Sequence, residues 1–137
     1  MNSILTPVLA LVCWTLFVWL WMYATRIPAM QKMHLDPQAA AHPGSLDVLP
    51  SNVRSVADNY NHLMEQPTIF YALVVYLHLA GQGDAVNVDL AWGYVAIRMV
   101  HSLVQNTANL VPLRFLLFSV STVCLFAMAA RGVIAAL

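Results

Sequence analysis

The chain has 137 residues, of which 61% are hydrophobic and 9% charged, with six basic and six acidic side chains and no formal net charge. An ordinary soluble domain carries roughly a quarter charged residues, so the composition excludes that class, and a neutral chain is not expected to take a nucleic-acid partner. It is the composition of an integral membrane protein, and residues 1–137 are expected to form one domain.

Met1 to Thr25 carry no charge, a run longer than the roughly 20 residues that cross a bilayer core. A cleavable signal peptide would show a basic start, a shorter apolar stretch and a small-x-small cleavage site. None of these is present, and the segment is predicted to be a first transmembrane helix over about 4–25. The stretch of about 26–58 holds Pro28, Pro37, Pro43, Pro50, Gly44 and half of all charges, and reads as one long aqueous loop. Three more apolar stretches follow, over about 59–80, 88–106 and 113–136, each near one bilayer thickness at helical rise. The links "GQGDAVN" and "NTANLVP" are short. The predicted fold is therefore all-α, an integral membrane bundle of four transmembrane helices.

Basic residues set the expected orientation. Arg26, Lys32, Arg54 and Arg114 lie on the side of the first and third loops, against Arg131 near the other face. The long loop is expected in the cytoplasm and both termini outside, which in a bacterial inner membrane means the periplasm. Cys13 and Cys124 fall inside apolar spans and are expected to pack as small buried hydrophobes. The histidines at 34, 42, 62, 78 and 101 show no close ligand spacing, and no metal site is expected.

Ionisable groups within a membrane normally face the bundle interior, because a lipid-facing charge costs at least about 2.5–3.5 kcal/mol. In the third helix, Tyr94, Arg98, His101 and Gln105 fall within a stripe about 60° wide at helical periodicity. In the second, Arg54, Asp58, Asn61, His62 and Glu65 recur at spacings of three and four. Glu65 and Arg98 lie roughly 8 Å and 12 Å from the inner ends of their helices, so a Glu65–Arg98 pair is expected. Pro67 cannot donate to the carbonyl of Leu63, so the helix should kink or loosen next to Glu65, beside a cavity that satisfies the freed carbonyl. His78 and Asp89, near the outer ends, are expected to form a local polar cap. Arg114, just after Pro112, reads either as a snorkelling anchor or as a fixed cation beside the polar pocket.

Four apolar helices, a polar motif ending in Glu65, "RMVH" in the third helix and a Pro-x-Arg opening the fourth resemble the membrane-associated proteins in eicosanoid and glutathione metabolism, the MAPEG family, in a bacterial form. The likeness runs from Arg54 to Arg131 and, more weakly, includes the first helix. It implies a homotrimer of four-helix bundles with glutathione held between neighbouring subunits near the cytoplasmic face. On matching positions, the acidic end of the helix 2 motif is Glu65, with Asn61 and His62 one turn before it. The helix 3 Arg-x-x-His is Arg98 and His101, and the arginine beside the glutathione thiol is Arg114. Arg26 is a looser candidate for a carboxylate contact, and Gln105 stands where the family often has tyrosine. Asp58 takes the place of a family arginine, and Phe115 follows Arg114 where some relatives have serine.

The activity so implied is a glutathione-dependent transferase or peroxidase, with Arg114 favouring the thiolate and a lipophilic small-molecule electrophile arriving from the bilayer. Two other readings fit the same residues. The chain is then a non-catalytic binding or structural membrane protein in which Glu65 and Arg98 only fix helix register, or a small proton-coupled, multidrug-type transporter built on Glu65.

Overall fold

The computed structural model describes residues 3–42 and 44–137. Met1 and Asn2, counted in the first span, and Pro43, counted in the loop, lie outside the described residues. Five α-helices follow in order: α1 (Leu5–Lys32), α2 (Ser51–His62), α3 (Pro67–Leu79), α4 (Ala85–Asn106) and α5 (Val111–Ala136), with a 3-10 turn at Pro37–Ala40. They make a bundle with four legs, one of them built from α2 and α3 in succession.

The broken leg is the largest departure from the sequence reading. A single kinked helix over about 59–80 is replaced by two helices separated by four turn residues, and α2 begins eight positions earlier, inside the expected loop. Pro67 supplies the reason. It lacks the N–H that would continue α2, and its fixed φ suits the first position of a new helix, where it stands in α3. The intervening chain tightens into i to i−3 turns, with Met64 N donating to Asn61 O (3.0 Å) and Glu65 N to His62 O (3.2 Å).

The other ends have local causes too. α1 continues through Pro28 to Lys32, well past the expected boundary. Gly81, at φ 71°, closes α3 with Gln82 N donating to Leu77 O at 2.8 Å. Asp84 caps α4 by accepting from Asn87 N at 2.9 Å, which starts that helix at Ala85 and not near Val88. Between α4 and α5, Asn109 takes the left-handed conformation at φ 51° and its N–H reaches Val104 O at 2.6 Å.

The two longest helices, α1 and α5, each bury one narrow stripe, while α4 buries a broader face. On α1 the buried positions are Pro7, Leu11, Thr15, Val18 and Met22, and on α5 they are Ser121, Leu125, Met128 and Gly132, spaced by three and four. Phe70, Val74 and Leu77 of α3 meet Ala91, Tyr94 and Val95 of α4 in the main core, where the Phe70 and Tyr94 rings stack at 4.5 Å. A Cβ on Gly132 would sit 3.2 Å from Leu77 Cδ2, so the glycine lets α5 lie close to α3.

The opposite faces are apolar and exposed, with Leu9, Leu16 and Leu20 on α1 and Leu116, Val123, Phe126 and Ile134 on α5. α1 and α5 are each long and apolar enough to cross a membrane. Apolar outer faces on α1 and α5, with ionisable groups such as Arg98 and His101 buried within, suit lipid as the surrounding solvent. Cys13 faces outward and Cys124 is half-buried, both as free thiols, so only the second approaches the expected core packing.

Candidate functional site

The site is built where α2 stops. Arg98 is 1% exposed and is the largest fully buried side chain. Its Nη2 stands 3.5 Å from the carbonyl oxygen of His62, the last residue of α2, and its guanidinium lies 5.8 Å from the centre of the Phe118 ring on α5. Pro67 denies the Leu63 carbonyl its helical donor, and one residue earlier in the same break Arg98 gives the His62 carbonyl a second donor beside Glu65 N.

Around it lies a cavity of about 360 Å³ lined by His62, Glu65, Gln66, Arg98, His101 and Arg114, with Val111, Phe115 and Phe118 forming an apolar wall. Five of the eight residues singled out in the sequence thus converge on one space. Gln105 joins them indirectly, its Oε1 within 3.2 Å of His62 Nδ1. Tyr94, Arg98, His101 and Gln105 are all buried on one face of α4, as their spacing requires.

The remaining two go elsewhere. Arg26 and Asn61 line a second cavity of about 390 Å³, together with His42, Asp47, Arg54 and Asp58. The stripe read along the second helix is therefore divided: Arg54, Asp58 and Asn61 face one cavity, His62 and Glu65 the other. The expected ion pair between Glu65 and Arg98 is not formed. Among the described residues the one ion pair within 4.0 Å joins Arg131 and Asp84. The turn after His62 carries Glu65 to an exposed position while Arg98 stays buried against the His62 carbonyl, so the two share a cavity without touching.

Several buried nitrogens of the lining residues are unpaired among the described residues. Nε and Nη1 of Arg98, Nε of Arg114 and Nδ1 of His101 are buried and have no hydrogen-bond partner among the described residues. Buried polar groups are nearly always satisfied by protein, water or ligand. Arg114 is nevertheless held in place, because its Nη1 donates to Asn109 Oδ1 at 2.7 Å and Asn109 Nδ2 donates to Ser55 Oγ at 3.0 Å. That chain ties the start of α5 to α2. It holds Arg114 in place at the lining of the cavity.

Gln66 is the residue that sequence reasoning missed. Its Nε2 donates to Thr122 Oγ1 at 2.9 Å and its Oε1 accepts from Tyr94 Oη at 3.2 Å, so it binds the break to α5 and α4 at once. Its position between Glu65 and Pro67 was the available signal, since an amide beside a helix break at membrane depth must find partners. At the other end of the bundle, His78 and Asp89 are exposed. The polar cluster there is instead Arg131 donating to Asp84 and, at 2.9 Å, to Asn87 Oδ1, with Asn87 Nδ2 donating to Gln82 O at 2.7 Å.

Arg98 and His101 buried within a helical bundle, beside a polar cavity and behind the apolar outer faces of α1 and α5, define an integral membrane protein. The particular kind follows from comparison with known families. The model of the MAPEG family matches residues 4–134, and the chain belongs to that family, which includes glutathione-related transferases. No curated protein and no solved structure matches the chain.

Proposed function

We propose that the cavity between the α2–α3 break, α4 and α5 binds glutathione and that the protein is a membrane glutathione-dependent transferase or peroxidase acting on lipophilic electrophiles. The observation that carries this reading is the meeting of Arg98, Arg114 and Glu65 on one cavity with an apolar wall of Val111, Phe115 and Phe118. Its volume falls within the range of small-molecule sites, roughly 300–1,000 Å³.

The division of labour follows from charge. Two guanidiniums with unpaired N–H groups suit the two carboxylates and the thiolate of the tripeptide, and the exposed Glu65 suits its ammonium. A free thiol, with a pKa of about 8.5, is only a few per cent ionised at pH 7, and a fixed cation beside it raises that fraction. Arg114, anchored through Asn109, takes this role. The thiolate then attacks the electrophilic atom of a substrate held on the phenylalanine wall, and the leaving group departs with the electron pair. In the peroxidase variant a hydroperoxide is reduced to alcohol and water while two glutathione molecules become a disulfide. Family membership supports the further proposals that three copies assemble, that a neighbouring copy closes the open side by Glu65, and that the site faces the cytoplasm of a bacterial inner membrane.

The test is a glutathione titration of the detergent-solubilised protein, beside Arg114→Ala and Glu65→Gln. Saturable binding that weakens in Glu65→Gln, with thiolate absorbance lost in Arg114→Ala, supports the reading. The absence of saturable binding to the unmodified chain removes it.

A further inference from the structure

The second cavity holds Arg26 and Asn61, which the family resemblance offers to glutathione but which lie outside the first cavity, and its lining is unusual in a different way. Arg26, from the end region of α1, faces Arg54 and Asp58 of α2 and Asp47 of the loop across one space of about 390 Å³. Two cations and two anions share the cavity, yet none of them pairs with another within 4.0 Å, and Arg26 Nε is buried with no partner among the described residues. The charges are separated around the cavity, not neutralised inside it.

Its depth is marked independently. Arg26 is the first charge of the chain. Close by, Met22, Val56 and Ala57 form a small apolar cluster with Trp19, Trp21 and Tyr60 packed against it. Tryptophan and tyrosine concentrate where hydrocarbon meets headgroups, so the cavity opens at headgroup level.

We propose that this cavity binds a phosphoethanolamine-type zwitterion, supplied by the headgroup of a bilayer phospholipid. The phosphate lies with Arg26 and Arg54 and the ammonium with Asp47 and Asp58, while Asn61 offers a neutral donor and acceptor. A purely anionic headgroup would meet two carboxylates, and a simple cation would meet two guanidiniums. A primary ammonium donates hydrogen bonds to carboxylates. A quaternary one cannot and is usually held by aromatic faces, and the described lining holds no Phe, Tyr or Trp.

The full chain in detergent is titrated with dihexanoylphosphatidylethanolamine below its micelle concentration, following the fluorescence of the nearby Trp19 and Trp21. The choline and glycerol analogues, O-phosphoethanolamine and glutathione serve as comparisons. Arg54 and Asp58 are exposed, so Arg54→Gln and Asp58→Asn should fold, with thermal melting as the check. The expected result is saturable binding of the ethanolamine lipid, about ten-fold weaker binding of the other two lipids, and a loss of about ten-fold or more in each variant. Equal binding of O-phosphoethanolamine also supports the site and assigns it to the free headgroup. No saturable binding, equal affinity for all three lipids, unchanged binding in either variant or displacement by glutathione overturns the proposal. Because glutathione binding is read separately at Arg114, either site can fail without the other.

Discussion

Arg98 of α4 stands 3.5 Å from the carbonyl oxygen of His62, at the point where α2 ends and the chain must turn to reach α3. A cation that could have been expected to pair with a carboxylate instead satisfies a broken helix. Arg98→Ala leaves the His62 carbonyl with Glu65 N as its one donor and opens a void where the largest fully buried side chain stood, which should lower stability by about 2–4 kcal/mol. Arg98→Lys should recover only part of the loss, since a point charge does not reproduce the planar fork. Thermal unfolding in one detergent measures both.

Pro67→Ala restores the N–H that the break lacks. The variant should gain helical ellipticity as α2 and α3 join, by about one turn, and should move Glu65 relative to Arg98. Glutathione affinity is then expected to fall with no loss of thermal stability. Far-UV circular dichroism and the titration described above report the two halves of this prediction.

The Gln66 bridge gives a graded test. Tyr94→Phe removes one hydroxyl donor and should cost about 1 kcal/mol. Gln66→Ala strips partners from both Tyr94 and Thr122 and should cost about 2–3 kcal/mol. In the double variant the losses should not add, because the two side chains share one bond.

At the far end, Arg131 ties α5 to Asp84 and Asn87 at the start of α4. Arg131→Ala should cost about 1 kcal/mol, most of it from leaving the buried Asn87 Oδ1 unpaired, because the Asp84 pair is partly exposed. Raised salt should weaken the unmodified protein little. A melting series in sodium chloride checks this, and glutathione binding should be unchanged in the variant.

The parts of the site that could be read in the sequence are those fixed by helical periodicity. Tyr94, Arg98, His101 and Gln105 lie within one helix, and their angular separation is a property of the backbone. The α2 stripe failed for the same reason in reverse, since Pro67 ends the periodicity between His62 and Glu65 and divides its residues between two cavities. The role of Asn109 in fixing Arg114 depends on a left-handed backbone residue and a contact with Ser55 across 54 positions, which no local spacing encodes. The outer clasp was hidden likewise, as Arg131 meets Asp84 across 47 positions.

The most direct measurement asks whether the space bounded by Arg98 and Arg114 is open to water. In a Cys13→Ser, Cys124→Ser background, Phe118→Cys places a thiol on the cavity wall and Leu116→Cys places one on the exposed apolar surface of the same helix. A charged methanethiosulfonate reagent should modify position 118 at least about ten-fold faster than position 116, and glutathione should slow the reaction at 118 only. Equal or slower modification at 118 would contradict a water-filled site at the α2–α3 break.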